Sequence, residues 1–424
     1  MKVKLISCRS PYIDSDKVYP PLANLYLHQA IKTKVPEAEV EVTDEYYLDD
    51  PSWLIDLDYL GVSIMTPQRA EAQRVLKFVK EQSPQTKVIA GGPHVKHYLD
   101  DVVKEDWDFV VPLDGIRPIV QILNGKQERV INDFIPLREY PTEWVKPNRM
   151  DNQEFLNGFT YTLNGRRATT MLTAQGCPMA CTFCEDAKTI GRWTPLDLIK
   201  EELDDIVSLG YKAVYLFDDL FAIAMPKVKP IAEELKKRDL IYRCNGQANF
   251  FTRWGEDFAK LLSDTGCVEI AFGHESGSQK ILDNVDKRTK VEQNYQSVEF
   301  ARKHGIKVKS FLMIGLPGET YETIRQTEDF IKTARPDDFQ LAIYYPYKGT
   351  QIRDAIDKGQ SGFDLMFQGE GLGAYGQKGG VSEATVRTSE LSQEDLLRER
   401  DRLLDIYRPK SHSTRQFHDI HLDK

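Results

Sequence analysis

Short apolar runs alternate with amphipathic stretches along most of the chain. Val3 to Ser7, Val40 to Thr43, Leu60 to Met65, Lys87 to Ala90 and Phe109 to Val111 read as strands, with helices at about Leu22 to Thr33 and Gln68 to Gln82 between them. Strand and helix in near-regular alternation predict parallel α/β, here a Rossmann-like (flavodoxin-like) open parallel sheet with helices on both faces. Ligands of such sheets bind beyond the carboxyl ends of the strands. Those ends carry Cys8 to Asp16, Thr66-Pro67-Gln68 and Gly91 to His94.

Between roughly Asn132 and Asn157 the pattern lapses into polar sequence broken by Pro136, Pro141 and Pro147. A domain 1–135 and a linker 136–160 are expected there. The alternation then resumes with strands Ala168 to Ala174, Ala213 to Phe217, Ile241 to Asn245, Val268 to Phe272, Val308 to Ile314 and Phe339 to Tyr344. The intervening helices are Leu196 to Leu209, Lys227 to Lys237, Trp254 to Leu262, Val291 to His304 and Tyr321 to Lys332. Six strands predict a partial (β/α)6 barrel of TIM type over 161–350, with chemistry at the carboxyl strand ends. A small C-terminal extension, 351–424, follows, with a charged helix at about Gln393 to Tyr407.

The chain has 424 residues, 41% hydrophobic and 29% charged, which excludes disordered, collagenous and fibrous classes. Its 56 Lys+Arg against 65 Asp+Glu give a net charge of −9 and no general attraction to polyanions, so nucleic acid is not an expected partner. No apolar run approaches a membrane span and the N-terminus is too short and interrupted for a signal peptide, so a cytoplasmic protein is expected. Of the 6 cysteines, Cys8, Cys244 and Cys267 fall in or beside apolar segments, where Cys behaves as a small buried hydrophobe. Only Cys177, Cys181 and Cys184 cluster.

These three lie in Gly176-Cys177-Pro178-Met179-Ala180-Cys181-Thr182-Phe183-Cys184, just after the first barrel strand. The spacing would also suit one face of a helix, or part of a zinc site. Gly176 and Pro178 argue for an irregular loop instead, and no second Cys or His pair stands nearby to close a zinc site. An iron–sulfur cluster normally takes four thiolates, so three would leave one iron with an open position.

With that loop the sequence resembles the radical S-adenosylmethionine (SAM) superfamily, and the similarity extends to three further strand ends. Asp218 and Asp219, in Tyr215-Leu216-Phe217-Asp218-Asp219, stand where relatives present acidic residues to the SAM amino group. Glu275 and Ser276, in Gly273-His274-Glu275-Ser276-Gly277-Ser278, stand where relatives contact the ribose. Gly315, Pro317 and Glu319, in Gly315-Leu316-Pro317-Gly318-Glu319-Thr320, stand at the adenosine and methionine contact region. The resemblance implies a [4Fe-4S] cluster on Cys177, Cys181 and Cys184, SAM at the open iron, its cleavage to methionine and a 5′-deoxyadenosyl radical, and an electron donor such as flavodoxin or ferredoxin. Taken singly, Asp218 and Asp219 also suit a helix cap, and Gly-Leu-Pro-Gly-Glu suits a plain turn.

The N-terminal domain resembles the cobalamin-binding domain of one branch of that superfamily, through Tyr19-Pro20-Pro21-Leu22 and Gly91-Gly92-Pro93-His94. Cobalamin, with Gly91, Gly92 and His94 as its neighbours, is therefore implied, and with it methyl transfer to an unactivated carbon of a small-molecule or biosynthetic-intermediate substrate. An Asp-x-His-x-x-Gly motif is absent after the first strand, and Pro112-Leu113-Asp114-Gly115 stands where relatives often carry Gly-Glu-Gly-Glu. A degenerate domain without cobalamin, serving a cyclase, rearrangement or oxidation enzyme, is the alternative, and a non-catalytic iron–sulfur protein is a further one. A methylthiotransferase is disfavoured because only Cys8 precedes Cys177.

Gly371-Leu372-Gly373-Ala374-Tyr375-Gly376 has dinucleotide-fingerprint spacing without a surrounding strand–turn–helix unit, and Asp419-Ile420-His421 lies in the terminal tail; neither is taken as a site. The basic run Lys227 to Arg238 is read as a solvated helix face, and Trp193, Tyr344, Tyr345 and Tyr347 as pocket lining or packing.

Overall fold

The computed structural model describes residues 1–10, 15–44, 51–360, 364–369 and 383–408. Gly371 to Gly376, Asp419 to His421 and part of the loop after the first strand lie outside the described residues. The chain divides into two compact units, Met1–Tyr161 with Asp197–Gly210, and Thr162–Leu196 with Tyr211–Lys424.

In the first unit, strands β1 (Lys2–Ser7), β2 (Glu39–Thr43), β3 (Tyr59–Ser63), β4 (Lys87–Gly91) and β5 (Phe109–Val111) form a parallel sheet in the order β2-β1-β3-β4-β5. This is the flavodoxin-like doubly wound order. Its centre is apolar on both faces, as helices on both sides require: Leu5, Leu60, Val62, Val88, Ala90 and Val110 are all buried. The helix Arg69–Gln82 contributes Ala72, Val75, Leu76 and Val79 to that core, the i, i+3, i+4, i+7 stripe of an amphipathic helix. Between β1 and β3 the strand order reverses, which opens a crevice at their carboxyl ends.

In the second unit, β6 (Thr162–Leu163) and β7 (Arg166–Met171) make a hairpin, and β8 (Ala174–Gln175) pairs antiparallel with β9 (Arg192–Trp193). Then come β10 (Ala213–Leu216), β11 (Ile241–Gly246), β12 (Cys267–Glu275), β13 (Lys307–Ile314) and β14 (Asp338–Ile343). The sheet runs β14-β13-β12-β11-β10-β7-β6, with β7 and β10 to β14 parallel, so it stays an open partial barrel. The extension adds the two-stranded pair β15 (Met366–Phe367) and β16 (Val386–Arg387) and the helix Gln393–Tyr407. That helix is tied to the barrel helix Tyr321–Ala334 by Arg402 and Glu328, 2.7 Å apart.

Two expected elements differ. The strand expected over Ala168 to Ala174 ends at Met171, because the Thr173 N–H donates to Asp218 (2.6 Å) and its carbonyl accepts from Thr194 (2.9 Å) instead of joining the ladder. The helix expected over Trp254 to Leu262 is two helices, Ala248–Trp254 and Glu256–Asp264, which meet at Gly255 with φ 67°. A third, Gln351–Asp357, was not expected; Thr350 caps it by accepting from the Arg353 N–H. Among the described residues no helix is long and apolar enough to cross a membrane.

Candidate functional site

The segment from Gly176 to Cys184 is an irregular loop between β8 and β9, as its glycine and proline dictate. Its start is pinned by side chains from elsewhere. Asp219 accepts from the Gly176 N–H (2.7 Å), and Thr189 accepts from the Cys177 N–H (2.8 Å) while its own N–H donates to the Cys177 carbonyl (3.0 Å). Further on, the Thr182 N–H donates to the Val285 carbonyl (3.0 Å), and the Thr182 carbonyl accepts from Ile352 at the head of the Gln351–Asp357 helix (3.1 Å). The loop is therefore held on both sides by hydrogen bonds that leave its three thiols free of that task.

Cys177, Cys181 and Cys184 are free thiols, Cys181 buried and the other two half-buried. Burial raises all three thiols above their ordinary range, Cys184 to about 12, and the charges of the three influence one another. Iron binding would displace those protons. Beside Cys181 and Cys184 opens a cleft of about 410 Å³, bordered by Glu185, Lys188, Asp354 and Lys358.

The two aspartates after β10 do different work. Asp218 is fully buried, accepting from the Thr173 N–H and hydroxyl, and burial pushes its carboxyl up to about 7. Asp219, exposed, holds the cysteine loop through Gly176.

At the end of β12 the register against β13 shifts between Gly273 and Glu275, a bulge that turns two neighbouring side chains to different tasks. His274 is fully buried between Ser310 (2.8 Å) and Ser297 (2.9 Å), and burial lowers its imidazole to about 3, so it stays neutral. Glu275, with φ 61°, pairs with buried Lys287 at 2.7 Å. Gly273 is required by this close approach: a Cβ there would lie 2.5 Å from Glu275 Oε1 and 3.0 Å from Lys287 Nζ. Ser276 is buried, its hydroxyl 3.0 Å from that of Thr327.

After β13, Gly315 adopts φ 81°, the Pro317 carbonyl accepts from Asn284 (2.9 Å), and Glu319 is fully buried, accepting from the Thr323 hydroxyl (2.5 Å) with its carboxyl pushed up by burial to about 7. These groups shape the turn, so Glu319 supports the strand end from within. In the first unit Gly91 closes β4 opposite Ser63 and Val111, and Gly92 has φ 98°, where a Cβ would lie 2.7 Å from the Ile64 nitrogen. His94 is buried, 3.4 Å from the Thr66 hydroxyl and stacked on Tyr98 at 4.6 Å.

The second unit thus brings the cysteine loop together with Asp219, while Glu275 and Lys287 border the same loop. Lys287 and Thr189 went unnoticed in the sequence because each is a common residue type distant from the motif it serves.

Residues 171–331 match the model of the radical SAM superfamily. An uncharacterized methyltransferase of Pyrococcus horikoshii is 26% identical over 361 residues, 78% of this chain and 77% of its own. The anaerobic magnesium-protoporphyrin IX monomethyl ester cyclase of Rubrivivax gelatinosus is 25% identical over 333 residues, 73% of this chain and 60% of its own. Among solved structures, the radical SAM methyltransferase TsrM of Kitasatospora setae, with cobalamin and a [4Fe-4S] cluster bound, superposes with a TM-score of 0.71 at 17% identity, covering 87% of this chain and 81% of that one. At that identity the likeness speaks for the fold, and it takes in the open N-terminal sheet as well as the partial barrel. The match over 171–331, with the open partial barrel and the three-cysteine loop at its first strand end, identifies a radical SAM domain within this chain.

Proposed function

We propose that the protein is a cobalamin-dependent radical SAM methyltransferase acting on an unactivated carbon of a small-molecule or biosynthetic-intermediate substrate. The observation that carries this reading is the extent of the TsrM likeness, which spans 87% of the chain and so includes the flavodoxin-like sheet that a bare radical SAM barrel lacks. A relative named as a methyltransferase along 78% of the chain supports it.

In this reading Cys177, Cys181 and Cys184 hold a [4Fe-4S] cluster, and Asp219 keeps the loop that bears them in place through Gly176. SAM lies across the ends of β10, β12 and β13, near Asp219, Glu275 and Gly315, while Asp218, Ser276, Pro317 and Glu319 hold those ends rigid from below. Cobalamin lies at the ends of β3 and β4, where Gly91 and Gly92 let backbone approach closely and Met65 is exposed as an apolar contact. When bound, the cluster and SAM supply one-electron reductive cleavage of the sulfonium, and cobalamin supplies a transferable methyl group. The chain's own part is to position, to keep water out and to confine the reactive species. An electron donor of the flavodoxin or ferredoxin type would serve the cluster.

With no Asp-x-His-x-x-Gly motif after β1 and with His94 engaged by Thr66 and Tyr98, neither would supply a histidine ligand to a bound cobalamin. The test is anaerobic purification after expression with cobalamin supplied, followed by metal analysis, electron paramagnetic resonance of cob(II)alamin, and incubation with SAM and a strong reductant. Expected are iron and sulfide for one [4Fe-4S] cluster, bound cobalamin without nitrogen superhyperfine splitting, and 5′-deoxyadenosine. Zinc in place of iron would overturn the cluster assignment. Cluster and deoxyadenosine without retained cobalamin would favour the cyclase-like alternative, in line with the Rubrivivax relative.

A further inference from the structure

Lys287 is a cation in a place where an isolated charge is costly. Its side chain is 8% exposed, and its sole carboxylate partner within ion-pair distance among the described residues is Glu275, itself 9% exposed, at 2.7 Å. Two contacts tie it to the cysteine loop, and two more hold it from the barrel side. Its ammonium stands 5.8 Å from the ring centre of Phe183, which lies between Cys181 and Cys184. The turn that carries it, Val285 to Lys287, accepts the Thr182 N–H, so loop and lysine move as one piece. The Lys287 carbonyl in turn accepts from Gln247 Nε2 at 3.0 Å, and Gly273 leaves room for the ammonium by lacking a Cβ.

We propose that Glu275 and Lys287 form a built-in electrostatic control of the cluster, in which Glu275 positions the Lys287 ammonium against the cysteine loop and that ammonium makes the cluster easier to reduce. The inference rests on the cluster reading of the three cysteines and deepens it. A fixed positive charge in a low-dielectric surround favours the more negative, reduced state, and cluster potentials respond to net charge nearby. The two charges of the pair are not equivalent in this position. The ammonium is the end of the pair that faces the loop, 5.8 Å from the centre of the Phe183 ring. The pair is neutral as a whole but presents its positive end to the loop. Lys287 is thus a positioning and tuning residue.

The experiment is a redox titration of the full-length, anaerobically reconstituted protein without SAM, with mediators, followed by electron paramagnetic resonance of the reduced cluster. Lys287→Met is expected to make reduction about tenfold less favourable, which is about 59 mV more negative for a one-electron couple. Lys287→Arg should stay within about threefold of wild type, and Glu275→Gln should shift in the opposite direction to Lys287→Met, since it removes the opposing charge. A merely structural role would not give shifts of opposite sign. If Lys287→Met takes up no iron, Glu275→Gln/Lys287→Met leaves no unpaired buried charge, and its potential should fall below that of Glu275→Gln alone. Unmoved potentials at wild-type iron content, shifts of one sign, or a double variant no lower than Glu275→Gln would overturn the proposal while leaving the cluster reading intact. A wild-type protein that takes up no cluster would overturn both.

Discussion

Replacing Asp218 with Asn isolates the cost of a buried carboxylate at the base of the site. Asp218 is fully buried, and burial outweighs the hydrogen bonds from Thr173 to push its carboxyl from 3.8 to about 7. In Asp218→Asn the amide oxygen can accept from the Thr173 N–H and the amide nitrogen can donate to the Thr173 hydroxyl, so the shape and both contacts survive. The carboxyl also accepts from the Ala174 N–H; losing that bond would offset the two proteins at every pH, so the titration alone sets how their difference changes with pH. Between the two pKa values the folded state binds more protons than the unfolded one, so wild-type stability falls as pH rises from about 4 to about 7 and is level beyond. A rise of about three units, at about 1.4 kcal/mol per unit, amounts to about 4 kcal/mol. Urea midpoints of the transition reporting on the second unit, for both proteins at matched iron content from pH 4 to 9, give the difference directly. Titrations common to both proteins, such as those of Glu319 and His274, cancel in it. Asp218→Asn should gain on wild type by about 4 kcal/mol between pH 4 and 7, then run parallel. A difference that stays flat, or that moves against the variant as pH rises, would refute the assignment of Asp218 as a buried carboxyl that is reluctant to ionise.

Other outcomes follow from the same structure. In the first unit Arg149 and Glu202 form a pair with side chains 0% and 1% exposed; Arg149→Met should cost about 3–5 kcal/mol by stranding the carboxylate, and Arg149→Met/Glu202→Leu should recover most of it, both read from unfolding midpoints. His274 is held near pKa 3, so its contribution is present above pH 6.5 and withdrawn as pH falls toward 3; His274→Gln should lose that part of the acid sensitivity, and the stability gap between the two proteins should narrow by up to about 1.4 kcal/mol per pH unit. Gly92→Ala would place a Cβ 2.7 Å from the Ile64 nitrogen at a positive φ; a loss of about 1–3 kcal/mol in the first unit is expected, with weaker retention of cobalamin on gel filtration. Cys177, Cys181 and Cys184 replaced together by Ala should abolish iron uptake, whereas Asp219→Ala should leave iron bound but more readily lost to a chelator, because only the Gly176 anchor is removed.

Periodicity was enough to reveal both α/β units, since buried parallel strands and amphipathic helices leave opposite signatures in the order of apolar residues: Leu60 to Val62 against Ala72, Val75, Leu76 and Val79. The cysteine loop was equally plain, because its three thiols lie within eight residues and its glycine and proline disfavour a helix. Cys8, Cys244 and Cys267 are buried, as expected of cysteines in apolar segments. Boundaries were less legible where a side chain from afar ends an element, as Asp218 does at Thr173.

What the order of residues by itself determined was the set of elements and the identity of the clustered thiols, for both depend on neighbours within a few positions. The strand order β2-β1-β3-β4-β5, the burial of Asp218 beside an exposed Asp219, and the meeting of Glu275 with Lys287 were decided only by the tertiary structure. Both aspartates follow the end of β10, and the path of the backbone there buries Asp218 against Thr173 as an internal brace while Asp219 stays at the surface as a loop anchor. A lysine twelve positions beyond Glu275 carries no sign of its purpose until the bulge at His274 turns the glutamate toward it, and charge–charge energies depend on that through-space distance rather than on separation along the chain.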